Sequence, residues 1–348
     1  MKLHEKFMSR CIELAKKGLG STYPNPLVGS VIVHNNSIIG EGWHYMTGGP
    51  HAEVNALANV ADPALLPEAI LYVNLEPCSH FGKTPPCADL IISKGLKTVV
   101  IGSSDPNPKV SGQGINKLRE AGCNVISGVL AEECDTLNKR FFTFHKLQRP
   151  YIILKWAQSA DRYLAPATRP KEKKPVWITN TISRQLVHKM RAEEEAILVG
   201  TTTVIDDDPK LTVRDWEGNS PLRIVLDRSL RIPKDAAVLN TEAPTLVITE
   251  NLKESKGNID FVHIDFDLPM AGQICKLLFK RGIQSLIVEG GSQTLQTFID
   301  EDLWDEALVF QGQVKFHEGV SSPKFNAELV SEKKIKEDLL YLYKNNYS

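Results

Sequence analysis

His51-Ala52-Glu53-Val54-Asn55-Ala56-Leu57, then Pro77-Cys78 and, after eight intervening residues, Cys87, is the stretch on which the fold of the first half turns. One histidine and two cysteines can hold a Zn²⁺ ion through three protein ligands and leave the fourth tetrahedral position to water. Glu53, two residues past His51, is placed to move protons for that water. A lone His-x-Glu, or either cysteine alone, is more often structural. Their joint occurrence in this order, with His51 and Cys87 at the starts of predicted helices and Cys78 just after a strand end, points to His51, Cys78 and Cys87 as metal ligands.

Working outward, residues 3–19 carry apolar residues at helical spacing and end at Gly18 and Gly20. Val28 to Val33 and Ile38 to Glu41 read as strands around a turn at Asn35-Asn36. A helix from His51, a strand Ile70 to Leu75, a helix from Cys87 to about Lys94, a strand Thr98 to Ile101 and a helix from about Gly112 to Ala121 follow. This alternation predicts a sheet with helices on its faces. Two of the ligands fall at helix starts, where free N–H groups favour thiolate over thiol. A helical stretch Ala131 to Lys146 precedes a boundary near Gln148-Arg149-Pro150, which gives domains 1–147 and 148–348.

In the second half the pattern restarts with strands Tyr151 to Trp156 and Trp177-Ile178-Thr179 and a helix Ser183 to Glu194. Strands Ala196 to Val199 and Arg223 to Asp227 follow. Strand Ser285 to Val288 then leads through Glu289-Gly290-Gly291 into a helix containing Leu295 and Phe298. No Gly-x-Gly-x-x-Gly stands at a strand–helix junction. Gly112-Gln113-Gly114 lacks the third glycine and reads as an ordinary loop. Any dinucleotide is therefore expected at Glu289-Gly290-Gly291-Ser292, where two glycines allow close backbone approach and a helix N-terminus can receive pyrophosphate.

Composition narrows the function classes. The 348 residues carry a formal net charge of −1 and 42% hydrophobic residues. Basic residues are dispersed, so a nucleic-acid partner is not expected. The six cysteines show no disulfide framework. The N-terminal residues lack the apolar run of a signal peptide, and no stretch approaches a membrane span. A cytoplasmic protein with no membrane partner is expected.

The ligand pattern is that of zinc deaminases, with the cysteines farther apart than in the common form. Cys78-Ser79-His80-Phe81-Gly82-Lys83-Thr84-Pro85-Pro86-Cys87 resembles the deaminase half of the bifunctional riboflavin-biosynthesis deaminase–reductases. So do Thr22-Tyr23-Pro24-Asn25-Pro26-Leu27-Val28-Gly29, His51 to Leu57 and Asp105-Pro106-Asn107-Pro108. The resemblance covers about residues 3–145. It implies a cytidine-deaminase-like three-layer α/β/α domain and the substrate 2,5-diamino-6-ribosylamino-4(3H)-pyrimidinone 5′-phosphate. Lys83 offers a cation for phosphate, and Asn25 an amide that donates and accepts at a pyrimidine edge.

Lys155-Trp156-Ala157-Gln158-Ser159-Ala160-Asp161, Ile197-Leu198-Val199-Gly200, Asp207 to Arg214 and Arg223 to Asp227 resemble the reductase half of the same family over about residues 150–310. That implies a dihydrofolate-reductase-like α/β domain that uses NADPH to reduce the ribosyl group of the deaminated product to a ribityl chain. By matching position, Ala157, Trp177, Thr203, Asp207 and Gly291-Ser292-Gln293-Thr294-Leu295-Gln296-Thr297 contact NADPH. Arg191, Leu211, Arg214 and Glu289 contact substrate, the arginines suiting a phosphate through their bidentate fork. Lys155, Asp161 and Glu289 are the polar groups expected near the reacting carbon. A homo-oligomer, dimer or tetramer, is expected.

Three positions depart from the family pattern: Arg162 where glycine is usual, Pro175 where many relatives carry serine, and Arg228 where serine or threonine is common. The Pro-x-x-x-Gly element is also missing around Gln311 to Phe316. Arg228 is placed to reach the NADPH 2′-phosphate. The alternative is a working deaminase with a degenerate or binding-only second domain. A nucleic-acid deaminase and a zinc-stabilised binding module are the other readings.

Overall fold

Asn35 and Asn36 both adopt left-handed φ (47° and 63°), the geometry of a two-residue type I′ hairpin turn. They join β1 (Gly29–His34) to β2 (Ser37–Trp43) in antiparallel register. The computed structural model describes residues 2–79, 85–107, 110–168, 176–251 and 253–346. The chain divides into two units, Met1–Gln148 and Arg149–Ser348.

In the first unit, α1 (Lys2–Ala15) precedes the hairpin, and α2 (Ala52–Ala58), β3 (Ile70–Leu75), α3 (Cys87–Ser93), β4 (Thr98–Ser103), α4 (Gln113–Glu120), β5 (Asn124–Ser127), α5 (Ala131–Leu137) and α6 (Lys139–Leu147) follow. The sheet order is β2-β1-β3-β4-β5, with β3, β4 and β5 parallel. Alternation along the strands sorts two cores. Ile32, Leu71, Val73, Val99 and Ile101 pack with Ala56, Ile91 and Leu118. Val31, Val33, Tyr72 and Val100 face the other way, onto Phe7, Met8, Leu14 and Cys134. The period of two along each strand thus produces three α/β/α layers.

The stretch expected as one helix over Ala131 to Lys146 is two. Asn138 leaves helical geometry (φ −97°, ψ 20°), and its side chain both accepts from the Leu27 N–H and donates to the Leu27 carbonyl. A buried loop needed those partners, and helix continuity yielded to them. The helix expected from about Gly112 to Ala121 is α4, with Gly112 as its N-cap; Gln113 and Gly114 lie inside it rather than in an ordinary loop.

The second unit runs β6 (Tyr151–Gln158), β7 (Tyr163–Pro166), α7 (Thr181–Glu193), β8 (Ala196–Gly200), α8 (Thr201–Asp207), β9 (Leu222–Leu226), β10 (Thr245–Thr249), β11 (Ile259–His263), α9 (Met270–Lys280), β12 (Ser285–Val288), α10 (Ser292–Asp300), β13 (Glu306–Gln311), β14 (Gly319–Ser321), β15 (Glu328–Ile335) and β16 (Asp338–Lys344). Its sheet order is β11-β10-β9-β8-β12-β6-β13-β16-β15, parallel as far as β13 and antiparallel beyond. Central strands are apolar on both faces: Ala196 and Leu198 enter one core, Ile197 and Val199 the other.

Trp177-Ile178-Thr179, expected as a strand, is irregular. Asn180 directly after it is the N-cap of α7, accepting from Ser183 N–H, and its own N–H donates to Asp338 Oδ2. Three residues pinned to a cap leave no length for a ladder. Arg162 does take the glycine-like conformation that its position demands, with φ 66°. Pro175 lies outside the described residues.

Arg149 donates to both oxygens of Asp305 (2.7 and 2.8 Å), and Asp305 Oδ2 also accepts from Ile152 N–H at 2.7 Å. Both side chains are nearly buried, at 11% and 4% exposure. Asp305→Ala strands the guanidinium and is expected to cost about 3–5 kcal/mol. Urea unfolding of parent and variant measures it.

Candidate functional site

In the first unit, His51 is the N-cap of α2, Cys87 is the first residue of α3, and Cys78 sits just beyond the end of β3. The fold brings the three together. His51 Nδ1 lies 3.6 Å from Cys78 Sγ and 3.3 Å from Cys87 Sγ, and all the ligand atoms lie within 4.8 Å of one another. A tetrahedral Zn²⁺ with ordinary Zn–N and Zn–S bonds has N···S edges of about 3.6 Å. The donor set therefore fits a zinc ion by type and by size.

Cys78 Sγ accepts the Cys87 N–H at 3.3 Å. The hydrogen bond with Cys87, followed by that with His51, brings the Cys78 thiol down to about 4. The Cys87 thiol is pushed up, first by its hydrogen bond to Cys78 and then by burial. Cys78 is therefore the more readily ionised of the two, and a cation entering the site would draw off the protons that remain. Glu53, only 3% exposed, is held above the usual carboxylate range by burial and then by the Cys78 charge. A buried carboxyl with a raised pKa next to the ligand set is suited to taking up and returning a proton.

Asn25 Nδ2 lies 3.0 Å from His44 Nε2, and His44 Nδ1 lies 2.9 Å from the Pro50 carbonyl. The carbonyl can only accept, so Nδ1 carries the proton and Nε2 accepts from the Asn25 amide. That leaves Asn25 Oδ1 to accept from a ligand. The His44 and His51 rings stand edge to face, 5.6 Å apart. Ser79, next to Cys78, has a buried hydroxyl without a hydrogen-bond partner. Lys83, with His80 and Thr84, lies outside the described residues.

In the second unit a cleft of about 1580 Å³ opens where β6, β8 and β12 end. Ala157, Trp177, Thr203, Asp207, Gly291, Ser292, Gln293, Thr294, Leu295 and Thr297 line it, as do Arg191, Leu211, Arg214 and Glu289. Gln296 is not among the lining residues. Its amide donates to Asp300 and the Lys324 carbonyl and accepts the Lys324 N–H, because position 296 lies on another face of α10. Asp161 is likewise absent from the lining: it accepts from Ser159 and from the Phe316 and His317 N–H groups, closing a loop. A side chain at Gly290 would press on Thr203 and Val199 at 3.0 Å, and Gly291 has φ 66° as N-cap of α10. The glycines hold the backbone open at the start of that helix, the cradle a dinucleotide phosphate needs.

Glu289 accepts from Lys155 Nζ at 2.9 Å and from Arg191 Nη2 at 2.6 Å, all three side chains being at most 12% exposed. Burial alone would raise Glu289, but the Arg191 and Lys155 charges and their hydrogen bonds outweigh it and hold the carboxyl at about 2. Two cations share one anion, which leaves a net positive charge. Arg191 Nε is buried and has no partner. Arg214 N–H donates to His188 Nδ1, and burial with the Arg191 and Arg214 charges lowers His188. Leu211 is held at φ 57°, a strained conformation for a side chain of this size. Arg228 lines the cleft too, paired with Glu250 (2.8 Å) and Asp267 (2.9 Å).

Residues 150–314 match the family model described as the RibD C-terminal domain, and residues 1–103 match the cytidine and deoxycytidylate deaminase zinc-binding region. The riboflavin biosynthesis protein RibD of Aquifex aeolicus is 44% identical, over 98% of each chain. The chain belongs to the RibD family. RibD of Escherichia coli is 36% identical, over 88% of this chain and 86% of its own. A crystal structure of the diaminohydroxyphosphoribosylaminopyrimidine deaminase/5-amino-6-(5-phosphoribosylamino)uracil reductase of Thermotoga maritima has a TM-score of 0.90 at 38% identity, with 99% of each chain covered. The RibD family assignment accounts for the two-unit α/β architecture.

Sequence reasoning missed His188 and Ser79. His188 lies mid-helix in α7 with no motif around it, and Ser79 stands within the Cys78–Cys87 motif, whose pattern alone gives it no role. No described helix is long and apolar enough to cross a membrane.

Proposed function

We propose that the chain carries out two consecutive steps of riboflavin biosynthesis. Zinc-dependent deamination of 2,5-diamino-6-ribosylamino-4(3H)-pyrimidinone 5′-phosphate comes first, and NADPH-dependent reduction of the ribosyl group to a ribityl chain second. The observation that carries the first step is the convergence of His51, Cys78 and Cys87 beside buried Glu53. Zinc, when bound, lowers the pKa of its water. His51 Nδ1 and the two thiolates hold the ion. Glu53 would carry one proton of the water to the ring nitrogen and then the second to the amino group, which leaves as ammonia as the new C–O bond forms and the C–N bond breaks. Asn25, oriented by His44, presents Oδ1 to an N–H of the pyrimidine.

For the second step, NADPH supplies the hydride. The Gly290-Gly291 turn and the start of α10 receive its phosphates, and Ala157, Trp177, Thr203 and Asp207 line its path. Arg191 and Arg214 are apt for the substrate phosphate, since Arg191 keeps an unpartnered Nε and the Lys155–Glu289–Arg191 group is net positive. Glu289 fixes the cations at the reacting end. The expected homo-oligomer and cytoplasmic setting complete the reading, and all six cysteines are free, as a reducing compartment requires.

Metal analysis with an ammonia assay tests the first step. Cys87→Ser is expected to lose zinc and ammonia release together. Full metal occupancy in that variant would remove Cys87 from the ligand set. For the nucleic-acid alternative, deamination of RNA or single-stranded DNA is expected to be undetectable.

A further inference from the structure

Glu76 stands two residues before Cys78 and is only 5% exposed. Its carboxylate collects four backbone N–H groups. Oε2 accepts from Asp105 (3.2 Å) and Gly112 (3.0 Å), and Oε1 from Gly114 (2.9 Å) and Ile115 (3.2 Å). The last three belong to the opening turn of α4, whose N–H groups have no partners inside the helix. One side chain from the end of β3 therefore satisfies a helix that begins some 36 residues later. Its backbone is fixed as well, since Glu76 N–H donates to the Ser103 carbonyl at 2.9 Å.

The next residue is locked by shape. A Cβ at Gly114 would lie 2.0 Å from the Pro77 carbonyl oxygen, so α4 and the Pro77 peptide touch with no space between them. From its other side, Cys78 is held through Sγ by the Cys87 N–H and through its carbonyl by the Ala88 N–H (3.1 Å). The path of the chain into Cys78 is thus set by Glu76 and Gly114, and the sulfur by the start of α3.

We infer that Glu76 is a positioning residue for the metal centre: by anchoring the Glu76-Pro77-Cys78 peptide to the N-terminus of α4 it fixes where the Cys78 sulfur stands relative to His51 and Cys87. The inference rests on the zinc reading above. Groups that orient metal ligands from outside the coordination shell typically change metal affinity by about 10–100-fold when removed. A carboxylate serving the fold alone would lower stability and leave the geometry of the loaded site unchanged.

The test uses the full chain with Glu76→Ala and Glu76→Gln. Zinc affinity is measured by chelator competition, and the Co²⁺-loaded protein by its d–d and thiolate charge-transfer absorption. Glu76→Ala is expected to bind zinc about 10–100-fold more weakly, with altered cobalt bands. Glu76→Gln, which keeps one acceptor oxygen, is expected to fall between it and the parent. Circular dichroism and reduction of separately supplied deaminated substrate are expected to match the parent. A folded Glu76→Ala with zinc affinity within about twofold of the parent and an unchanged cobalt spectrum would overturn the inference. Should Glu76→Ala fail to fold, parent-like affinity and spectrum in Glu76→Gln would overturn it equally. A parent protein that binds neither metal would instead overturn the zinc reading itself.

Discussion

Glu53→Gln is expected to retain zinc and lose about 10²–10⁴-fold in deamination rate, the usual contribution of a positioned acid–base group. The side chain is buried beside the ligand set, and its carboxyl is raised by burial and by the Cys78 charge, which suits it to take up and return a proton. Glutamine keeps the shape and an acceptor oxygen but cannot carry the proton. Ammonia release measured alongside zinc content checks this. Reduction of separately supplied deaminated substrate should match the parent, because the second cleft is lined entirely by residues of the second unit. Zinc loss in the variant, or retained deamination, would remove Glu53 from its role.

Glu289→Ala is expected to produce the mirror result, with reduction falling on the order of 100-fold or more and deamination unchanged. The substitution leaves Lys155 and Arg191 facing each other without their shared anion at a nearly buried position. Breaking such a pair costs about 3–5 kcal/mol, so the thermal midpoint should fall as well. The sign of the pH dependence follows from the lowered pKa. Glu289 sits at about 2 in the folded chain against 4.5 ordinarily, so its stabilising contribution is complete above about 4.5 and fades as pH falls toward 2. The parent–variant difference in thermal midpoint should therefore stay constant over about pH 6–9 and shrink below about pH 4. Loss that appears only above neutral pH would contradict the assignment.

The first unit was largely legible because its chemistry and its periodicity coincide. Ile32, Leu71 and Ile101 alternate with neighbours that face the opposite core, and two of the three ligands, His51 and Cys87, sit at helix starts that their own sequence announces. The helix break at Asn138 was not legible, since its cause is a contact with Leu27, 111 residues away. β15 is exposed along almost its whole length, so it lacks the apolar–polar contrast that marks a strand. In the cleft, the glycine turn and the arginines could be found from their motifs. The Lys155–Glu289–Arg191 cluster joins residues up to 134 positions apart, and only the closed sheet brings them together. Gln296 shows the limit of motif transfer: it lies inside the matching segment, yet the 3.6-residue turn of α10 carries its side chain to Asp300 and Lys324.

Stopped-flow NADPH absorbance on the purified, zinc-loaded protein, started with the diamino substrate and sampled for ammonia, tests the two-step account most directly. One zinc per chain, ammonia released before NADPH is consumed, and equal final amounts of the two are expected. Ammonia release with no NADPH oxidation, on that substrate and on the deaminated one alike, would contradict it.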